Sequence, residues 1–143
     1  MEKNYDDTLV SFVSSQTPLL SNLSMLENIM LISQTHERLS ATQAQEKALL
    51  ALKALNLSHI ASYRYISCNA QEKFLTQLIR ANMLKDAKII IEQPFHLLDE
   101  HLNVDLILST MEKLKIDIHR VHIIDLKHMQ AYYEGGKCLI KKY

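Results

Sequence analysis

Glycine is nearly missing from this chain: of 143 residues only Gly135 and Gly136, side by side near the end, are glycine. A loop that cradles phosphates needs glycines so that successive backbone N–H groups converge on the anion, followed by Lys and a hydroxyl residue. Gly135-Gly136-Lys137-Cys138 has a Gly-Lys pair, but no glycine five residues before Gly136 and no hydroxyl after Lys137. The sequence therefore contains no phosphate-binding P-loop. Cysteine is equally scarce. Cys68 and Cys138 form no CxxC pair and read as reduced thiols of a cytosolic protein, without a disulfide framework or a zinc site. An excess of either charge is absent, with Lys plus Arg and Asp plus Glu at 16 each, so nothing in the balance favours nucleic acid or an anionic membrane. Long apolar runs are missing too. The most apolar window, 23–32, is broken by Ser24, Glu27 and Asn28 and falls short of the ~20 residues that span a bilayer. The first residues, Met-Glu-Lys-Asn-Tyr-Asp-Asp, lack the basic and apolar regions of a secretory signal. A cytoplasmic protein is expected, reaching the membrane only through a partner.

The length suits one domain, 1–143, large enough to bury a core without disulfides or metal. Leu9, Val10, Phe12 and Val13 suggest a short first strand, 9–13, ended by 16–18. Ser24-Met25-Leu26-Glu27 is a capping box opening a helix that carries Leu26, Ile29 and Met30 at helical spacing. Residues 42–57 predict a second helix with Ala44, Ala48, Leu49, Leu52 and Leu55 on one stripe. Residues 58–65 read as a short helix or irregular connection. Asn69, with Glu72 three residues on, caps a helix running to about Leu84. A helix is expected over 104–114, and strands over 88–92, 121–124 and 138–140.

The sharpest feature is Ile89-Ile90-Ile91-Glu92-Gln93-Pro94. Three β-branched residues in a row predict a strand covered on both faces, and Pro94 is expected to stop the ladder and turn the chain. Glu92 and Gln93 then lie at the carboxyl end of a buried strand, where open α/β sheets carry ligands. Strands alternating with helices predict an α/β domain: a mostly parallel sheet covered by helices, with an all-helical insert at about 24–65. Other chemistry is weak. His119 and His122 on a strand would point to opposite faces, so a shared metal is not expected. Tyr63, Tyr65, Tyr132 and Tyr133 have no accompanying basic stripe and read as packing residues.

The stretch from Ile89 to Asp99 resembles the Walker B and following segment of ABC transporter ATP-binding domains, where an Asp-Glu pair stands in place of Glu92-Gln93 and a Leu-Asp like Leu98-Asp99 follows. Other segments keep the family's order. Gln16, Leu19-Leu20, Leu23-Ser24 and Glu27-Asn28 resemble the Q-loop region. Cys68-Asn69-Ala70-Gln71-Glu72, with Arg80-Ala81 eight residues on, lies at the signature. Val121 to Asp125 resembles the strand before the switch histidine, with Asp125 near that position. The resemblance runs from Leu9 to the end and does not extend to the family's amino-terminal strands, P-loop and first helix, so the chain resembles the carboxyl two-thirds of such a domain.

The resemblance implies lost chemistry. An amide at Gln93 cannot accept a proton at neutral pH, so the general base is gone. The signature glycines, which let a helix N-terminus approach a phosphate, are replaced by Ala70 and Gln71. No active catalytic residue is expected, with Glu92, Gln93 and Asp125 as degenerate positions and Gln16, Asn69 and Glu72 as vestiges of nucleotide binding. The implied role is a catalytically inactive binding or regulatory subunit without a cofactor. Its partner would be a transporter membrane subunit or an intact ATP-binding subunit, met through Gln16, Leu19, Leu20, Met25, Leu26, Met30 and Asp99, although Met25, Leu26 and Met30 read first as core and only second as a docking surface. Two alternatives stay open. The chain is half of a composite site that takes ATP and magnesium with a partner's P-loop, or it self-associates as a homodimer through an exposed sheet edge.

Overall fold

The structure is a computed structural model and describes residues 9–99, 104–134 and 140. Strand β1 (Val10–Val13) leads through a polar turn to helices α1 (Met25–Thr35) and α2 (Ala41–Ala54), then through two 3₁₀ turns, Ser58–Ile60 and Tyr65–Ser67, to α3 (Ala70–Asn82). Strand β2 (Lys88–Glu92) follows, then α4 (Pro94–Leu98), α5 (Val104–Lys113), a 3₁₀ turn at Ile118–Arg120, β3 (Val121–Ile124) and a 3₁₀ segment at Lys127–Tyr133. The strand expected over 138–140 lies almost wholly outside the described residues.

The α-helices of the first half begin where local chemistry satisfies their orphan N–H groups. Ser24 with Glu27, Ser40 with Gln43 and Asn69 with Glu72 each form a reciprocal capping box. The middle box went unread in the sequence, although Ser40 and Gln43 have the required spacing. Bonds from the Ser24 backbone N–H and hydroxyl hold the Glu27 carboxyl below the ordinary glutamate range. The helical stretch between β1 and α3 is closed at its base by an antiparallel bridge between Ser24 and Arg64, continued by Met25 N–H to the Tyr63 carbonyl at 2.8 Å and Leu26 N–H to that of Ala61 at 3.0 Å.

The sheet is parallel, in the order β1-β2-β3, with Val13 beside Ile91 and Ile91 beside Ile123. Its inner face carries Val13, Ile89 and Ile91, all fully buried. They share one core with Phe74, Leu78 and Ile79 of α3, Leu98 of α4 and Ile107 of α5. The expected cover on both faces is corrected here. Ile90 is half-buried, and Val10 and Phe12 on its side of the sheet are exposed. An apolar triplet reads the same in a strand covered on one face as on two, because each Ile alone satisfies strand propensity.

The ladder stops before Pro94, as expected, and the chain turns there; Pro94 also opens α4 at the first helical position, where the missing N–H costs nothing. Leu49, expected on the buried stripe of α2, lies at its edge and is exposed, while Ala44, Ala48 and Leu52 are fully buried.

Two measurements check this packing. Ile91→Ala should lower the free energy of unfolding by about 2–5 kcal/mol, and Ile90→Ala by less than half as much, in urea melts. The Glu27 pKa is depressed in the folded protein, so its stabilisation is present above the unfolded value and lost as pH falls through the folded one. The protection of the first-turn amides of α1 against hydrogen exchange, taken relative to the intrinsic rate at each pH, should therefore fall as pH drops below the ordinary glutamate range, and Glu27→Gln should remove that dependence.

Candidate functional site

The tips of β1 and β2 frame a polar cleft. The chain leaves β1 at Val13 and turns at once, with Gln16 N–H donating to Ser14 Oγ at 3.2 Å and Thr17 N–H to the Ser14 carbonyl at 3.3 Å. Helix α3 grips this turn from inside. Gln77 Nε2 donates to the Ser14 carbonyl at 3.1 Å and to that of Thr17 at 2.8 Å. Arg80 donates to the Pro18 carbonyl at 3.0 Å and also to that of Thr17. Burial pulls the Arg80 guanidinium below the ordinary arginine value, but a guanidinium stays charged in a protein, so these are charge-assisted bonds.

On the β2 side, Gln93 adopts a left-handed backbone, φ 46° and ψ 60°. That conformation costs a residue with a Cβ about 1 kcal/mol. Its N–H donates to the Ile124 carbonyl at 2.8 Å, and the sharp bend delivers the chain into α4. Ser14, Ser15, Gln16, Glu92, Gln93, His96 and Leu97 therefore line one cleft of about 150 Å³.

The structure thus brings Gln16, Glu92 and Gln93 together from two strand ends, and adds Ser14, Ser15 and His96, which sequence reasoning missed. His96 follows Pro94 by two residues, so reading Pro94 as a helix start would have placed it on the first turn beside the strand tip. The other sequence-derived residues are employed elsewhere. Asp125 accepts from the Tyr133 hydroxyl at 2.6 Å and from Leu126 N–H at 2.8 Å, pinning the segment after β3. Asn69 and Glu72 cap α3, with Glu72 N–H to Asn69 Oδ1 at 2.8 Å and Asn69 N–H to Glu72 Oε1 at 2.9 Å. Glu72 Oε2 also lies 3.6 Å from His59 Nε2.

Of the expected partner-facing set, Leu19 and Met25 are buried, and Gln16, Leu20 and Asp99 are exposed, with Leu26 and Met30 half-buried. Asn28, fully buried, binds this segment to itself: Leu20 N–H donates to Asn28 Oδ1 at 2.8 Å, and Asn28 Nδ2 donates to the Leu20 and Ser24 carbonyls at 3.1 and 3.0 Å. Asp99 ends α4 with φ 68°.

The cleft can accept and donate hydrogen bonds, but its residues do not fit ATP and magnesium by themselves. Its volume is about half of the smallest typical small-molecule pocket, ~300 Å³. Among the described residues no three His, Cys, Asp or Glu side chains gather to hold a metal ion.

No protein-family model matches the sequence, and no curated protein matches it. Solved structures do share its fold. A dimeric, post-hydrolysis ATP-binding cassette bound to ADP and Pi superposes with a TM-score of 0.64 at 21% identity, over 87% of this chain and 56% of that one. A dimeric bacterial ABC transporter cassette gives 0.59 at 22% identity, with the same coverage of 87% and 56%. An inward-facing transporter described as of the metal-chelate type gives 0.56 at 22% identity, over 82% and 48%. The chain has the α/β fold of ABC ATP-binding cassettes and spans about half the length of the structures it matches.

The grip of α3 on the turn can be measured. Gln77→Leu and Arg80→Leu each strand backbone carbonyls of residues 14–18, and each should cost about 1–3 kcal/mol, with faster amide exchange at Gln16 and Thr17. Gln93→Gly removes the left-handed penalty and should be neutral or stabilising by up to about 1 kcal/mol in the same urea melts.

Proposed function

We propose that this chain is a protein-binding subunit of a transporter-type complex that neither binds nor hydrolyses ATP by itself. The observation that carries this reading is a contrast at the strand tips. The backbone framework around residues 14–30 is fully braced, whereas the cleft beside it is small and offers an amide, Gln93, where a base would be needed. A braced surface segment beside a silent site fits recognition better than turnover.

The docking segment is residues 16–30. Gln16 and Leu20, the latter 46% exposed, present its outer face, Leu26 and Met30 add partly exposed apolar surface, and Asp99 offers a second edge. Leu19 and Met25 act from below, packing the segment onto the core. The partner is a transporter's membrane subunit or an intact ATP-binding subunit, so the chain works in the cytoplasm, at the membrane's inner face when docked and as a regulator of that complex. Among the described residues no helix is long and apolar enough to cross a membrane.

A second reading has its own support. Gln16 and Glu92 meet in one cleft, and a matching cassette was solved as a dimer with ADP and Pi. Here the chain supplies half of a composite ATP site whose phosphate loop comes from the partner.

Calorimetric titration with millimolar MgATP separates the two. The isolated chain should show no binding heat and no phosphate release above buffer, and Gln93→Glu should not create any. Hydrolysis by the pure protein that disappears in Glu92→Ala would overturn the proposal. ATP affinity of an ATP-binding subunit that rises when this chain is added, and does not rise with Glu92→Ala, would establish the second reading. Leu20→Asp, a surface change, should weaken binding to a membrane subunit at least about tenfold with an unchanged melting temperature.

A further inference from the structure

Helix α2 carries two apolar stripes where a surface helix needs one. The inner stripe, Ala44, Ala48 and Leu52, is fully buried. On the far side Leu49 and Leu50 are 36% and 68% exposed, and with Glu46, Lys53 and Ser58 they line an open groove of about 400 Å³. The elements packed around α2, namely α1, α3 and the turn Ser58–Ile60, are all described. None of them covers Leu50.

The charges of this groove have a particular order. At about 3.6 residues per turn, Glu46 and Lys53 fall on the midline of the outer stripe, with Leu49 on one side of it and Leu50 on the other. Glu46 lies one turn before the leucine pair and Lys53 one turn after it. They stand about 10 Å apart along the axis, too far to pair with each other. Among the described residues neither forms an ion pair. The stripe is thus its own complement when reversed end to end, a property that a partner of another sequence would not require.

We propose that the outer face of α2 is a self-association surface whose occupant is a second copy of this chain, packed helix against helix and antiparallel. A two-fold axis crossing the stripe midway between Leu49 and Leu50 sets each leucine beside its own counterpart, one pair on each side of the midline. The same axis brings Glu46 of each copy to Lys53 of the other, twice per dimer. Antiparallel helices pack in this way at about 20° and 8–10 Å between axes, within reach of both side-chain pairs. One helix on each side is a small contact, so the dimer is weak and reversible, below the ~1,200 Å² of standard stable interfaces. It involves neither residues 16–30 nor the cleft at the strand tips, and so does not rest on the proposed function.

Sedimentation velocity on the full chain, from micromolar to millimolar concentration, tests this. The chain should interconvert between monomer and dimer. Glu46→Lys and Lys53→Glu should each weaken the dimer about tenfold or more, since each sets like charges against one another. An equimolar mixture of the two variants should recover the affinity of the original chain, because the mixed pair restores both contacts, and so should the double variant. Leu50→Gln should weaken the dimer with the charges untouched. Lys47→Glu, on the same helix but off the stripe, should leave it unchanged. All these positions are exposed, and thermal melts check that each variant is folded. A chain that stays monomeric to millimolar concentration would leave the groove to a different protein and overturn the proposal. Single variants that associate undiminished, or a mixture that fails to recover, would overturn it as well.

Discussion

The contact on which the architecture depends is the grip of α3 on the turn that follows β1. Gln77 and Arg80 reach across sixty or more residues of sequence to donate to the carbonyls of Ser14, Thr17 and Pro18. Those carbonyls sit where a parallel strand has ended and its ladder can no longer satisfy them, and a buried backbone oxygen without a partner is costly. Closing so long a loop carries an entropic cost, which the packing of Phe74, Leu78 and Ile79 against Val13, Ile89 and Ile91 offsets. With both ends so fixed, α1 and α2 form a closed lobe, shut at its base by the Ser24–Arg64 bridge. The rigidity of residues 16–30 is therefore a property of the whole first half of the chain.

At the tip of β2 the backbone and the side chains have separate duties. The left-handed Gln93 donates its N–H to the Ile124 carbonyl, and Pro94 starts α4. Both roles belong to the main chain and to proline's fixed φ, so they are indifferent to whether position 93 carries a carboxylate or an amide. The fold shared with ATP-binding cassettes thus places no demand on the side-chain chemistry at position 93.

What was legible in the sequence follows the range of the forces involved. The boxes at Ser24 and Asn69 and the isoleucine strand are local, written within four or five residues, and α1, α3 and β2 could be placed from them. The partners of Gln77 could not, because an amide on the buried side of a helix carries no mark of the carbonyl sixty residues away that it will meet. Arg80 stood out only as part of a motif. Leu19 and Met25 illustrate a further limit: in an apolar segment the residues that hold it to the core and those that face outward have the same composition, and only the completed turn sorts them. The one-sided burial of β2 escaped for a related reason, since cover depends on which layers the rest of the chain supplies.

That one-sidedness links the two surfaces of the molecule through a single carboxylate. Glu92 is the last residue of β2, so it lines the cleft at the strand tips and also belongs to the open face beside Ile90. A substitution at Glu92 therefore acts on the cleft and on the outer face of the sheet at once, whereas one at Gln16, across the cleft on the turn after β1, leaves that face untouched.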